Sequence, residues 1–280
     1  MHIGDGSNSH FSNYSLSSAE LNAINSSSSA TLYLGDRGTS ALSSIYVGGT
    51  SASDLTFLSS MASDLYLTAN NGSAQIVVSG GSSLIFNSMD LHWSTSGDIL
   101  LLDNGTSIQL AAGAANTLFI GTDSDCGGKN GTLRICDGCT VSTTGNSPIV
   151  YHGGDLVLLG NVTAGSPPAL NSSQSSITLS ERCSSTSSLL IGGSAPVPGD
   201  GNQYAMVVLR RELGLLSTAD LVLHSLSGDI YVAGVDQQQH MGSVLGGKLS
   251  VTASAGSVTF DDDGSSFSSN TGGGVDIYGE

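Results

Sequence analysis

The side chains best suited to chemistry in this 280-residue chain are its four cysteines. An even count of cysteines is typical of disulfide bonding in a secreted protein, and a bond from Cys126 to Cys136 or Cys139 would close a local loop. The Cys136-x-x-Cys139 spacing would also suit half of a zinc site, although no second pair of ligands accompanies it. We therefore predict disulfides among Cys126, Cys136, Cys139 and Cys183, with free thiols or a metal site as the alternatives.

The histidines and carboxylates show no catalytic spacing. The six histidines are widely separated and none has a partner at ligand spacing: His2, His10, His92, His152, His224 and His240. We interpret the acidic run Asp261-Asp262-Asp263 as a solvated turn, with a weak calcium site as the alternative. The sequence contains no G-x-S-x-G elbow, Walker loop or dinucleotide-binding fingerprint. These observations predict no catalytic residue, no metal site and no cofactor.

The charge balance argues against two classes of partner. Only 11% of residues are charged, and 23 acidic against 7 basic side chains give a net charge of −16. Proteins that bind nucleic acid or an anionic membrane surface depend on Lys and Arg, so we expect neither partner. The scattered basic residues and the lack of an evident carboxylate pair also make a polysaccharide-active enzyme the least favoured function.

The sequence contains seven N-x-Ser/Thr sequons, although a chain this rich in Ser and Thr also generates sequons by chance. They would carry glycans if the chain passes through a eukaryotic secretory pathway. The glycosylation candidates are Asn13, Asn25, Asn71, Asn104, Asn130, Asn161 and Asn171. The sequence contains no run of 18 apolar residues, so we predict no transmembrane helix, and no signal-peptide pattern is visible at Met1. Because residues 275–280 end inside a predicted strand, we expect a mature form or an excerpt of a longer chain.

Short alternating apolar runs begin at Leu32 and continue to the end of the chain, separated by Gly, Ser, Asn and Asp. Such runs predict strands joined by turns. The pattern repeats most clearly in residues 220–232 and 248–260, at an offset of 28 (248 minus 220), and more loosely from Asp64 to Val78. Each copy has an alternating strand, a corner glycine and a second alternating strand.

Two architectures share this pattern: antiparallel sandwiches or barrels, and β-solenoids. The fixed repeat, the recurring corner glycines and the scarcity of Lys on predicted exposed positions favour the solenoid. We therefore predict an all-β parallel β-helix over residues 31–280, with two strands per coil and roughly ten or more coils. Gly228 and Gly256 should stack at one corner. Trp93 lies in the core if it shares the register of Leu91, and on the surface if the register shifts by one.

Less regular stretches flank and interrupt this pattern. Residues 1–30 are predicted to form an N-terminal cap or linker with a short helix from Ser17 to Ile24, in which Glu20 lies in the first turn. Surface loops are predicted at residues 122–131, 164–176 and 192–203. The apolar stretch 205–216 is read as a strand from Met206 to Leu209, with an amphipathic helix as the alternative.

The D-L-x-L-x-A/S-x-x-G-x-I/V-x-V/F unit of residues 220–260 resembles the repeats of filamentous-haemagglutinin-type adhesins and of phage tail-fibre proteins. The resemblance spans most of residues 30–280 but is sharp only at 64–78 and 220–260, and it concerns architecture. It implies an elongated extracellular protein used for adhesion or as a fibre element.

Three functions remain open at this stage. The favoured one is a secreted structural subunit of an extracellular fibre, surface appendage or coat, which associates with copies of itself or with homologous subunits because solenoid ends expose strand edges. The alternative is an adhesin that binds cell-surface glycans through its loops. The third is the polysaccharide-active enzyme. We expect no nucleic-acid partner and no membrane insertion.

Overall fold

The structure is a computed structural model of the whole chain. It describes residues 1–4, 15–24, 30–35, 44–48, 54–57, 62–72, 74–111, 116–122, 131–165, 175–181, 188–193, 204–226, 228–236, 240, 247–260 and 275–279. The following account is limited to these ranges.

The described residues form 26 short strands and two short helices. In chain order they are β1 (His2–Ile3), β2 (Ser15–Leu16), α1 (Ser18–Ala23), β3 (Thr31–Gly35), β4 (Ser44–Gly48), β5 (Asp54–Phe57), β6 (Asp64–Ala69), β7 (Gln75–Ser79), β8 (Ser83–Asn87), β9 (Asp90–Thr95), β10 (Ile99–Leu101), β11 (Ser107–Ala111), β12 (Leu118–Gly121), β13 (Thr132–Ile135), β14 (Thr140–Thr143), β15 (Ile149–Gly153), β16 (Asp155–Leu158), β17 (Asn161–Ala164), β18 (Ser176–Glu181), β19 (Ser188–Gly192), β20 (Tyr204–Val208), α2 (Arg210–Leu213), β21 (Leu216–Ser217), β22 (Asp220–Ser225), β23 (Ile230–Ala233), β24 (Leu249–Ala253), β25 (Val258–Phe260) and β26 (Val275–Tyr278).

These strands build a parallel β-solenoid, as predicted. Sheet A has the order β16-β13-β10-β7-β4-β1-β2, and sheet B has the order β26-β24-β22-β18-β15-β12-β9-β6-β3. Sheet C has the order β21-β17-β14-β11-β8-β5, and sheet D has the order β20-β19-β23-β25. From β3 to β18 the chain visits sheets B, A and C in turn, so each strand pairs with the strand one coil away. The nine strands of sheet B, with β1 and β2 lying beyond β4 in sheet A, agree with the predicted coil count of ten or more.

The number of strands in each coil differs from the prediction. Coils from β3 to β17 contain three strands, whereas two strands per coil were expected. The reason is that the short apolar pairs mark three separate strands per turn of the solenoid, with a corner between each. Within the described ranges, two-strand coils are found near the C-terminus, where β22, β23, β24 and β25 alternate between sheets B and D.

The core is a set of in-register columns of apolar side chains. One column on sheet B contains Leu34, Leu67, Trp93, Ile120, Tyr151, Leu179, Leu223, Val251 and Ile277. Trp93 is 0% exposed, which confirms the inward register predicted for it with Leu91. Because side chains alternate between the two faces of a strand, one register buries Leu221 and Leu223 and turns Asp220, Val222 and His224 to the outer face.

The 28-residue offset between the two sequence copies at residues 220–260 corresponds to one coil. Leu221 pairs with Leu249, and Ile230 pairs with Val258, so the two sequence copies lie directly on one another. Gly256 lies against Gly228, as predicted. A Cβ atom built on Gly256 would be 2.6 Å from the Gly228 carbonyl oxygen, so the close approach of the two backbones requires glycine there.

The N-terminal helix is present where it was predicted. α1 is capped by Ser17, whose hydroxyl accepts the Glu20 backbone N–H, while the Glu20 carboxylate accepts the Ser17 N–H at 2.8 Å. This reciprocal pair is a capping box, and it fixes the start of a helix too short to persist alone. Leu21 is 2% exposed within the core, and α1 packs against β2 and β5. The helix therefore covers part of the N-terminal end of the solenoid.

The stretch predicted as a strand from Met206 to Leu209 forms β20 and is followed at once by α2. β20 breaks the rule that each strand lies next to the strand of the preceding coil. β23 follows β20 in the chain, but both pair with β19, one on each side of it. Its Val207 N–H donates to Asp155 Oδ1 of β16 at 3.3 Å, which joins sheet D to the end of sheet A. Glu212 of α2 is 1% exposed and accepts the N–H groups of Leu158 and Leu209.

Candidate functional site

A ladder of aromatic rings runs along the outer face of sheet B, parallel to the solenoid axis. Neighbouring ring centroids are 4.8 Å apart for Tyr33 and Tyr66, and 4.3 Å apart for Tyr66 and His92. Phe119 lies 5.9 Å from His92 and 5.2 Å from the ring of His152. Tyr33, Tyr66, His92 and Phe119 occupy one register position on successive strands, so the coil repeat places the rings at stacking distance.

The stacking determines which part of each ring faces solvent. In the pair formed by Tyr66 and His92 the planes are 5° apart, so each ring face is turned toward the next coil. Sugars pack on open aromatic faces, whereas this ladder presents mainly ring edges, hydroxyl groups and imidazole nitrogens. The ladder therefore stabilises contacts between coils and offers polar edges to a ligand.

A cluster of three potential metal ligands lies beside the ladder. Asp64 on β6 pairs in register with Asp90 on β9, and His92 lies two residues after Asp90 on the same outer face. One donor atom from each of the three residues lies within 4.8 Å of the others. The cluster was not expected, because the histidines were judged by their separation in sequence. The signal that would have found it is Asp90-x-His92, which places a carboxylate and an imidazole on one face of a strand.

The surroundings of this cluster are partly buried and negatively charged. Burial lowers the pKa of His92, while the nearby Asp90 and Asp64 carboxylates act in the opposite direction. Burial, reinforced by Asp64, raises the pKa of the Tyr66 hydroxyl. Among the described residues the one ion pair joins Lys248 to Asp276, far along sheet B. The two carboxylates thus face each other without a described cation beside them.

A second candidate site is a groove on the outer face of sheet C, where β21 ends the sheet. Its volume is about 490 Å³. Hydroxyl and amide side chains line it together with apolar ones: Thr140, Val141, Ser142, Asn161, Thr163, Gly214, Leu215, Leu216 and Ser217. The turn after α2 forms one wall, because the chain there returns to sheet C. Hydroxyl and amide groups in a concave surface suit hydrogen bonding to a polar ligand.

The cysteine prediction is partly confirmed and partly corrected. Cys136 forms a disulfide with Cys139, and their Cα atoms are 5.1 Å apart. A bond from either residue to Cys126, which the sequence had left open, is therefore excluded. The reason is the turn at Asp137 and Gly138, which folds the chain back within three residues, with Gly138 at a φ of +70°. Cys126 and Cys183 lie outside the described residues.

The other predicted sites are distributed along the rod. Of the sequons, Asn71, Asn104 and Asn161 are exposed, and glycosylation there remains a prediction. The other four candidates lie outside the described residues: Asn13, Asn25, Asn130 and Asn171. The same holds for His10 and for the acidic run at 261–263. Among the described histidines, ring nitrogens make hydrogen bonds in His2, His152, His224 and His240.

Comparisons with known proteins found no relative of this chain. Neither a protein-family description, nor a curated protein, nor a solved structure matches the chain. Among the described residues, no helix has the length and apolar character needed to cross a membrane.

Proposed function

We propose that this chain is a structural β-solenoid, a secreted subunit of an extracellular fibre, surface appendage or coat. The observation that carries the proposal is the change in exposure at the C-terminal end of the column of inward-facing side chains that starts at Leu34. Val251 in this column is 0% exposed, whereas Ile277 one coil later is 42% exposed. Among the described residues β26 is the outermost strand of sheet B, and its inward-facing side chain Ile277 is exposed.

The two ends of the rod differ. α1 lies against the N-terminal coils and buries Leu21, whereas Ile277 and Tyr278 at the other end are among the most exposed large apolar side chains described. A further β-layer is the surface that fits this coil, because it would bury Ile277 and pair with the outer edge of β26. The partner is therefore a second solenoid end, supplied by a copy of this chain or a homologous subunit.

The test is the state of association of the purified protein at neutral pH over a wide concentration range. Sedimentation velocity and negative-stain microscopy should show rods joined end to end. Ile277→Asp should abolish the joining, because it places a charge in the new contact. Thr178→Asp, on the outer face in the middle of sheet B, is the matched control. Monomers of wild type at all concentrations would contradict the assembly proposal.

A glycan-binding module is the second candidate, because of the hydroxyl-lined groove on sheet C. Thr163 and Ser217 are neighbours across β17 and β21, and Asn161 lies at the groove edge. Binding to immobilised cell-surface glycans should weaken in Thr163→Val with the fold retained. Equal binding by Thr163→Val and wild type, or no glycan binding by wild type, would remove this candidate.

A further inference from the structure

We infer that Asp64, Asp90 and His92 bind a divalent transition-metal ion on the outer face of sheet B. The site is independent of the assembly proposed above, because it lies on β6 and β9 and not on β26. The inference begins with the strand register. Asp64 and Asp90 are directly opposite on adjacent parallel strands, and His92 follows on the same face.

Like charges directly opposite each other across two strands destabilise a sheet. Elsewhere in the rod, the Asp at this strand position bonds a backbone group of the following coil, as Asp220 does with the Lys248 N–H. Asp90 keeps that bond, since its Oδ1 accepts the Thr117 N–H at 2.7 Å. One oxygen of Asp90 is thus used by the fold, and the other remains available as a ligand beside Asp64.

His92 differs from the other described histidines. Each of those has a ring nitrogen in a hydrogen bond, whereas His92 has none to any described residue. Its ring is instead held flat against Tyr66, which fixes its orientation next to the two carboxylates. An oriented, half-buried imidazole with a free nitrogen is suited to ligate a metal.

The distances and donor types indicate the class of ion. Tetrahedral zinc holds nitrogen and carboxylate oxygen at about 2.0–2.2 Å, which places its ligand atoms roughly 3.4 Å apart. The donor atoms of Asp64, Asp90 and His92 lie within 4.8 Å of one another, so binding would draw the two carboxylates toward the imidazole. A mixed set of imidazole and carboxylates suits zinc and its first-row neighbours, whereas calcium and magnesium take oxygen ligands alone. Three protein ligands leave positions for water.

The ion would fasten β6 to β9, which belong to adjacent coils. It would replace the repulsion between two carboxylates by attraction of both to one cation. Binding to the folded state alone would raise the thermal unfolding midpoint in proportion to the logarithm of the metal concentration.

The experiment uses untagged full-length protein stripped with a chelator and desalted. Zinc is titrated in competition with a chromophoric chelator, and metal content is measured after dialysis. Wild type should bind one ion at this site. Asp64→Asn and His92→Phe should each weaken binding by about tenfold or more, since even residues outside the ligand shell change metal affinity by that factor. His92→Phe keeps a ring in the ladder, and circular dichroism without zinc checks that each variant is folded.

His152→Phe is the matched control, because His152 belongs to the same ladder and the described residues place no second group of metal ligands around it. It should bind zinc as wild type does. The inference is overturned if wild type binds no zinc, or if Asp64→Asn and His92→Phe both bind it like wild type. It is also overturned if calcium binds as tightly as zinc and His92→Phe leaves that binding unchanged, since the site would then use oxygen ligands only.

Discussion

Asp229 Oδ1 accepts the backbone N–H of Ser257 at 2.8 Å, across 28 residues of chain. The same spacing separates Asp220 from Lys248, whose N–H donates to Asp220 Oδ1 at 2.7 Å. Each bond satisfies a backbone group at a solenoid corner, where the sheet ladder is interrupted. The aspartates of the repeated motif therefore act as fasteners between successive coils.

Asp229 should make stability depend on acidity. The Ser257 N–H and hydroxyl hold the pKa of Asp229 below its ordinary value. A carboxylate with a lowered pKa in the folded state stabilises the fold above its unfolded pKa of about 3.9, and this contribution is lost as pH falls through the folded value. In Asp229→Asn the free energy of unfolding should therefore fall less as the pH is lowered.

Urea unfolding at pH 3 to 6 measures this free energy. Asp137→Asn, in an exposed turn, is the control variant. Identical pH profiles for wild type and Asp229→Asn would contradict the prediction.

Glu212 should act in the opposite direction. Its burial raises the pKa of the carboxyl group, with Asp155 acting in the same sense and the Leu209 N–H, the Leu158 N–H and Arg211 opposing it. The folded state then binds the proton more tightly than the unfolded chain, so this contribution to stability falls as pH rises above about 4.3 toward the folded pKa.

In Glu212→Gln this fall is removed, so the stability advantage of wild type over the variant should shrink between pH 4 and pH 7. Thermal unfolding across that range provides the measurement. Glu212→Ala should cost about 1–3 kcal/mol per buried N–H left without its acceptor. An advantage of wild type over Glu212→Gln that grows with pH would show that the sign is wrong.

The aromatic ladder should contribute measurably to stability. Tyr66 stacks on Tyr33 on one side and on His92 on the other, and each such pair contributes about 0.5–1.5 kcal/mol. Tyr66→Ala should therefore lower the free energy of unfolding by about 1–3 kcal/mol in chelator-treated protein. Tyr66→Phe keeps the ring and should change it little. Equal urea midpoints for Tyr66→Ala and Tyr66→Phe would contradict a stabilising stack.

Gly256 should tolerate no side chain. A methyl group there would lie 2.6 Å from the Gly228 oxygen and 2.9 Å from Asp229 Oδ1. The two coils would have to separate at that corner, so Gly256→Ala should cost about 1–3 kcal/mol. Gly214→Ala is the control, because its nearest neighbours are 3.5 Å away and its φ is −68°. A Gly256→Ala variant as stable as Gly214→Ala would refute the close contact.

The sequence predicted the solenoid because its signals are local and repeat. Inward alternation at Leu221 and Leu223, the corner at Gly228 and the Ser17 cap are all readable within one coil or one turn. The number of strands per coil was not readable in the same way. A corner that bends the chain toward a third sheet uses the same Gly, Ser and Asn residues as a corner that folds it straight back.

The candidate metal site was missed for a related reason. Asp64 and Asp90 become neighbours only when the coil length fixes their register, and His92 joins them through the alternation of β9. These residues are far apart in the sequence, but they lie on adjacent coils and are therefore close together in the structure. The pairing of the cysteines was also left open by the sequence, since the tight turn between Cys136 and Cys139 depends on the positive φ of Gly138.

The position of β20 has a consequence for how the chain reaches this structure. A solenoid can grow in the order of synthesis when every new strand finds its template already in place. β19 is an exception within sheet D, because its two ladder partners, β20 and β23, both come later in the chain. β21 and β22, in contrast, pair with β17 and β18, which precede them in the chain. In growth from the N-terminus, sheets B and C can therefore continue past β18, whereas the backbone groups of β19 stay unpaired until β20 or β23 has formed.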